Sequence, residues 1–332
     1  MDGSKYSALV VREDNGRFIR DIEARSLDDL PEGDILINVK YSSLNYKDAL
    51  SATGNKGVTR KYPHTPGIDA AGIVVESTTK DFSQGDEVLV TGFDLGMNTA
   101  GGYGQFIRVP SQWVVRLPQN MTLRESMIYG TAGFTAALSL YNLESEGLNN
   151  EVKEDILVTG ATGGVGSLSI AILSKAGYKN ITAATGKVDK EPYLKSIGVS
   201  TILSREICDD NTGRELLPIR WAAVIDSVGG NILATAIKST VHGGSIAACG
   251  LTQSPKLNTS VYPFILRGVK LLGSDSAHCK SDIRNMLWKK LSGEWKPRIL
   301  DSIASECSLE ELSANIDQIL GGNITGRVVI RL

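Results

Sequence analysis

The stretch Thr159-Gly160-Ala161-Thr162-Gly163-Gly164-Val165-Gly166 decides how the second half of this chain is read. Before it, Ile156-Leu157-Val158 is a short apolar run suited to a strand buried on both faces. After it, residues 167–175 carry helical spacing. A strand, a glycine-rich turn and a helix in that order let the backbone approach a phosphate at the positive end of the helix. The spacing is GxxGGxG rather than GxGxxG, so a tight crossover without a ligand is the competing reading. Five more strand signals follow at 181–184, 201–203, 222–225, 245–247 and 269–272, with a helical segment at 191–197. Strands alternating with helices predict a doubly wound parallel sheet, a Rossmann arrangement, and favour a nucleotide on Thr162, Gly163, Gly164 and Val165.

The end of the second of these strands addresses which nucleotide. An NAD site normally places Asp or Glu there for the ribose hydroxyls. Here the corner reads Thr185-Gly186-Lys187, with no carboxylate until Asp189. A hydroxyl and an ammonium suit a 2′-phosphate, and Arg205, just past the third strand, adds a second positive group. NADP(H) is therefore expected, although a lysine at a helix start is more often merely solvated.

The first half has a different texture. Short β-type runs at 35–39, 72–75 and 87–90 are broken by Pro-Glu-Gly and Gln-Gly-Asp turns, which predicts a mainly antiparallel β domain. The expected division is residues 1–124 for this domain and 125–275 for the parallel-sheet domain. Residues 276–332, with a helix at 308–320 and a strand at 327–330, are expected to complete the first domain.

Bulk properties narrow the partners. The 332 residues are 42% hydrophobic and 22% charged, with a formal net charge of −2 and no basic face to suit a nucleic acid. The four cysteines are scattered without a CxxC pair, which fits reduced thiols. No apolar segment is long enough for a membrane span or a signal-peptide core, so a cytoplasmic protein acting on a small molecule is expected.

Several short strings then fall in a familiar order. They are Ser43-Leu44-Asn45-Tyr46-Lys47-Asp48, Pro66-Gly67-Ile68-Asp69-Ala70-Ala71-Gly72, Gly130-Thr131-Ala132-Gly133-Phe134-Thr135-Ala136, the turn at 159–167, Ile225-Asp226-Ser227-Val228-Gly229, Ala248-Cys249-Gly250-Leu251 and Pro263-Phe264-Ile265-Leu266-Arg267. Together they span nearly the whole chain and resemble the medium-chain dehydrogenase/reductase superfamily. The Leu-Asn-Tyr-Lys-Asp and Pro-Phe-Ile-Leu-Arg strings look most like its acrylyl-CoA reductase branch, the YhdH/YhfP-type quinone oxidoreductases. The resemblance implies a GroES-like catalytic domain, a Rossmann domain and a homodimer paired through the strand near 269–272. It also implies cofactor contacts from Tyr46, Thr131, Leu251, Ile265, Ser276 and Asn323, with Tyr193 and Arg327 as weaker carry-overs.

The departures from the zinc alcohol dehydrogenases bear on the chemistry. The first ligand position reads Asn45, with Asp48 kept; Gly-His-Glu becomes Gly67-Ile68-Asp69; and a third, cysteine position falls near Ile128. Zinc needs three or four N, S or O ligands in one place, so no metal is expected. Without a Lewis acid, a conjugated C=C bond in an enoyl-CoA, enal or quinone is the natural hydride acceptor. Asn45, Tyr46, Lys47 and Asp48 are the candidate catalytic residues, as hydrogen-bond donors to an enolate or as groups that orient the donors. Asn45 and Asp48 merely capping a helix is the plain alternative. Lys56, Arg60 and Lys61 form a basic segment that could attract CoA phosphates or could be an ordinary surface loop. A short 2-enoyl-CoA reductase is thus expected, against a quinone or enal reductase or a non-catalytic NADPH-binding protein.

Overall fold

The computed structural model describes residues 5–332. They form two units. One comprises the chain up to Thr131 with Ala277–Ser292 and Ala304–Leu332; the other comprises Ala132–Ser276 and Gly293–Ile303.

The first unit is built on a seven-stranded sheet. Its main path runs Ala304–Ser308, Arg327–Arg331, Ile35–Ser43, Asp69–Ser77, Glu87–Thr91 and Val114–Arg116, with Phe106–Val109 also paired to Ile35–Ser43. Every pairing is antiparallel except that of the two C-terminal strands, which is parallel. Alternating Ile35, Ile37 and Val39 pack with Val74, Val88, Val90 and Ile107 as one apolar layer. A second core joins Leu9, Val11 and Leu44 to Leu312, Ile316 and Ile330, so the C-terminal helix Leu312–Leu320 closes over the first strands of the chain. A separate hairpin, Lys5–Asp14 with Arg17–Ser26, turns at Asn15-Gly16, both at positive φ, as a tight two-residue hairpin requires.

The second unit carries six strands in the order Thr201–Ser204, Ile181–Thr185, Asp155–Thr159, Trp221–Asp226, Thr240–Ala248 and Lys270–Gly273. All are parallel. By position along the chain this is the 3-2-1-4-5-6 order of a dinucleotide fold, with the glycine-rich turn leaving the central first strand. The fold is therefore α/β: a mainly antiparallel β unit and a doubly wound Rossmann sheet.

Several elements differ from the sequence reading. The helix after the turn starts at Gly164, earlier than expected, because Gly163 already serves as its N-cap. A strand, Ala304–Ser308, precedes a C-terminal helix that begins only at Leu312. Gly293–Ile303 lies in the second unit, so only part of 276–332 completes the first. The helix Leu123–Ser145 is kinked at Gly130, whose φ of 49 and ψ of −155 are non-helical. Among the described residues no helix is long and apolar enough to cross a membrane.

Candidate functional site

In the first unit, Asn45 caps the helix Tyr46–Ala52 from the end of the strand Ile35–Ser43. The helix start is tied down by carboxylates rather than left to solvent. Asp48 Oδ2 accepts from the Asn45 backbone N–H at 3.0 Å, and Oδ1 accepts from the N–H groups of Gly67 at 3.2 Å and Ile68 at 2.8 Å. One side chain thus clamps the helix to the loop that leads into Asp69–Ser77.

Asn45 is spent inside this cluster. Its Nδ2 donates to Asp69 Oδ2 at 2.8 Å and to Asp48 Oδ2 at 3.1 Å, and its Oδ1 accepts from Arg327 Nη1 at 3.2 Å. Both amide hydrogens are used, so the donor role toward a substrate expected of Asn45 has no hydrogen left to serve it. Asp69 further accepts from Ser43 Oγ at 2.6 Å and from the Thr131 N–H and hydroxyl at 2.9 and 2.6 Å. Arg327 donates Nη2 to Ser43 Oγ, Nη1 to the Leu44 carbonyl and Nε to the Ile128 carbonyl, at 2.7 to 3.1 Å. Arg327 is only 3% exposed, and each nitrogen of its guanidinium donates within this cluster. Two buried carboxylates facing one guanidinium leave an excess of negative charge. Burial first, and the neighbouring Asp69 charge second, push the Asp48 carboxyl up to about 7.

Gly130 makes the packing of this cluster possible. A Cβ there would run into Asp69 Oδ2, Ser43 Oγ and Arg327 Nη2, and its φ of +49 is one that side chains resist.

Of the four candidate catalytic residues, the structure divides two from two. Asn45 and Asp48 are buried in the network; Tyr46 is 43% exposed at the first position of the helix, and Lys47 is half-buried beside it. Thr131, expected near a cofactor, is the donor to Asp69 described above. Asn323 is exposed past the end of Leu312–Leu320, its N–H donating to the Gln318 carbonyl. The basic segment is ordered by its own contacts. Lys56 Nζ pairs with Glu13 Oε2 at 2.6 Å and lies over the Phe18 and Tyr62 rings, while Arg60 and Lys61 remain exposed. His64 Nε2 donates to the Gly96 carbonyl at 2.9 Å, and burial lowers the proton affinity of its ring. No group of three or more His, Cys, Asp or Glu side chains converges among the described residues.

In the second unit, the turn forms a cradle of backbone donors. Gly160 sits at φ +60, where a Cβ would meet Ser227 Oγ, and its carbonyl accepts from the Gly163 N–H at 2.9 Å. This bend brings the first N–H groups of Gly164–Lys175, which have no intrahelical partners, to the C-terminal edge of the sheet. Thr162 Oγ1 lies 3.3 Å from Thr185 Oγ1, joining the turn to the second-strand corner. At that corner the Arg205 guanidinium lies so close to Gly186 that a Cβ would come within 2.9 Å of Nη2. Lys187 stands beside them, its N–H donating to Thr185 Oγ1 at 3.0 Å; burial and the Lys190 charge lower its proton affinity. The corner therefore gathers cations and hydroxyls.

The remaining expected cofactor residues also fall in this unit. Ser276 Oγ accepts from Thr135 Oγ1 at 2.7 Å; Leu251 and Ile265 are 62% and 74% exposed. Thr159 Oγ1, buried beneath the turn, donates to Asp226 Oδ1 at 2.6 Å, and Asp226 Oδ2 accepts from the Gly229 N–H at 2.8 Å. Sequence reasoning did not single out Asp226 as the brace of both loops. The Cys249 thiol is pushed up to about 12, by burial and then by Asp226, so it is inert at neutral pH.

Both halves of this arrangement have counterparts in known proteins. Residues 31–119 match the alcohol dehydrogenase GroES-like domain, and residues 164–292 match the zinc-binding dehydrogenase family. Acrylyl-CoA reductase AcuI of Ruegeria pomeroyi is 39% identical over 327 residues, covering 98% of each chain. The chain belongs to the medium-chain dehydrogenase/reductase superfamily, in its YhdH/YhfP/AcuI branch. Two solved members of that branch show the same architecture throughout. YhfP of Bacillus subtilis, with NAD bound, is 43% identical over 99% of this chain and 100% of its own, with a TM-score of 0.96. YhdH of Salmonella enterica, in complex with NADP, is 38% identical over 98% and 99%, with a TM-score of 0.95. Although residues 164–292 match a family described as zinc-binding, this chain places an asparagine amide between the two carboxylates, and Ile68 two positions after Pro66.

Proposed function

We propose that this protein is an NADPH-dependent reductase of the conjugated C=C bond in a short 2-enoyl thioester such as acryloyl-CoA, and that it works without zinc. The observation that carries the reading is Tyr46. It is the exposed polar side chain on a helix start that Asp48, Asn45, Asp69 and Arg327 hold rigidly. The identity to an acrylyl-CoA reductase supports the substrate class.

NADPH fits the second unit. Turn N–H groups from Gly164 onward would hold the pyrophosphate, and Arg205 with Lys187 would hold the 2′-phosphate. When bound, it supplies the hydride that the β-carbon accepts. The Tyr46 phenol donates a hydrogen bond to the thioester oxygen, where negative charge gathers as the enolate forms, and a proton from solvent then reaches the α-carbon to complete the reduction. Asn45 and Asp48 position that phenol through the helix start. Arg60 and Lys61 are the cations available to CoA phosphates, Lys56 being occupied by Glu13.

Zinc does not fit the first unit. Asn45 Nδ2 occupies the position between the carboxylates, Ile68 offers no donor atom, and the Ile128 carbonyl is taken by Arg327. Kinetics with NADPH on acryloyl-CoA, acrolein and a small quinone test the whole reading. The highest kcat/KM is expected for the thioester; equal or better use of the quinone would remove it.

A homodimer formed through the edge strand Lys270–Gly273 belongs to the same proposal. Among the described residues that strand ends the sheet with one side unpaired, Leu271 is 37% exposed, and Val261, Tyr262, Ile265 and Leu266 nearby are all more than half exposed. Sedimentation of Leu271→Lys as a monomer, beside a dimeric parent, is the expected result.

A further inference from the structure

Asp226 ends the strand Trp221–Asp226, which lies between Asp155–Thr159 and Thr240–Ala248 in the parallel sheet. It is buried, and it is bonded to the ends of both neighbours. Its Oδ1 accepts from the hydroxyl of Thr159, the last residue of one, at 2.6 Å. Its carbonyl accepts from the N–H of Cys249, the first residue past the other, at 2.8 Å. Its Oδ2 accepts from the Gly229 N–H at 2.8 Å, and the Val228 N–H donates to the same carboxylate. We propose that Asp226 is a positioning residue for the half of the dinucleotide that lies beyond the pyrophosphate. It holds the loops 227–230 and 249–254 in register with the glycine-rich turn, so that a cofactor anchored at the turn is gripped on its far side too. This inference rests on the nucleotide reading given above.

A doubly wound sheet binds a dinucleotide across the crevice where the strand order reverses, with one mononucleotide on each side. That reversal falls between Asp155–Thr159 and Trp221–Asp226, the two strands that Thr159 and Asp226 join. The Lys187 and Arg205 corner lies on the Ile181–Thr185 side, so the adenosine half belongs there. The other half then passes over the loops that follow Asp226 and Ala248.

Those loops have little freedom once the brace is set. A Cβ on Gly160 would come within 2.4 Å of Ser227 Oγ, and a Cβ on Gly250 within 2.4 Å of the Ser227 carbonyl oxygen. Ser227 Oγ donates to the Thr159 carbonyl at 3.1 Å, and the Gln253 N–H donates to the Val228 carbonyl at 2.9 Å. Ser227 thus touches the turn on one side and the later loop on the other, and its neighbour Asp226 fixes where it stands. The residue type suits the task. An ionised carboxylate offers acceptors alone, and the groups that meet it here are a hydroxyl and main-chain N–H groups. Asparagine keeps the shape but turns donor hydrogens toward one of those donors.

Titration calorimetry on the full chain tests this with two probes. NADPH spans both halves of the crevice; adenosine 2′,5′-bisphosphate carries the adenosine half and stops at the first phosphate. Asp226→Asn is expected to raise the Kd for NADPH at least about tenfold and to leave that for the bisphosphate within about twofold. Thr159→Val, which removes one donor and keeps the carboxylate, should show the same split at severalfold, and Thr159→Ser should restore parent-like binding. A loss shared equally by the two probes would reduce Asp226 to a structural residue and overturn the proposal. Unchanged NADPH affinity in Asp226→Asn and Thr159→Val would overturn it as well. Should Asp226→Asn not fold, the two Thr159 variants decide by the same split. A parent that binds neither probe would instead remove the nucleotide reading, and this proposal with it.

Discussion

The Asn45 side-chain amide lies 2.8 Å from Asp69 Oδ2, and the same nitrogen holds Asp48 at 3.1 Å. A neutral group thereby joins two buried carboxylates, with Arg327 supplying the only positive charge in contact with the cluster among the described residues. Removing the amide leaves two charged acceptors short of a donor each, at a cost of about 3 kcal/mol. Asn45→Ala is therefore expected to melt roughly 5–10 °C below the parent in a thermal scan. A variant that melts within a degree of the parent would show that the network does not depend on this residue.

Asp48 makes stability depend on pH in a stated direction. Its folded value, about 7, lies above the ordinary value of 3.8, so the folded chain binds the proton more tightly than the unfolded chain. The stabilisation from the bound proton is present below about 4 and is lost as pH rises through about 7. Relative to Asp48→Asn, which cannot ionise, the parent should lose melting temperature between pH 5 and pH 8. A difference between the two that stays flat across that range would place the carboxyl's titration elsewhere.

Tyr46→Phe separates chemistry from scaffold. The ring and the helix start remain, and only the hydroxyl goes. A fall of about 10²- to 10³-fold in kcat on the enoyl thioester is expected, with NADPH affinity within about twofold of the parent. Parent-like turnover would take the phenol out of the reaction.

Arg205→Ala addresses the nucleotide corner. Loss of one charge-assisted contact to a 2′-phosphate should raise KM for NADPH by about 10- to 100-fold and leave KM for NADH nearly unchanged. Because a relative of this branch has been solved with NAD bound, both cofactors belong in the assay. Equal rises for the two would show that Arg205 does not read the phosphate.

What could be read from the residues alone divides along the same line as locality. The turn at 159–166 and the order of strands around it were legible because each signal lies within a dozen neighbours. The Lys187 and Arg205 corner was legible for the same reason: two strand ends, each marked by its own apolar run. The capping of the helix by Asn45 and Asp48 was legible because the two lie three positions apart. The other acceptor of Asn45 and its donor lie 24 and 282 positions away, at Asp69 and Arg327, and no local pattern announces that they meet. Lys56 groups with Arg60 and Lys61 on charge alone, whereas Glu13, on a strand 43 positions earlier, claims it. The first hairpin escaped notice because Arg17–Ser26 interleaves charges with isoleucines that stay exposed, so its pattern resembles a loop.

The kink at Gly130 sets a limit on how this lineage can vary. Every single-base change in a glycine codon that alters the amino acid adds at least one carbon, and at position 130 that carbon has Asp69, Ser43 and Arg327 already in its place. Compensation would demand concurrent changes at three sites far apart in the gene, each harmful when it arises first. A side chain at position 130 therefore requires the whole cluster around it to be rebuilt at once.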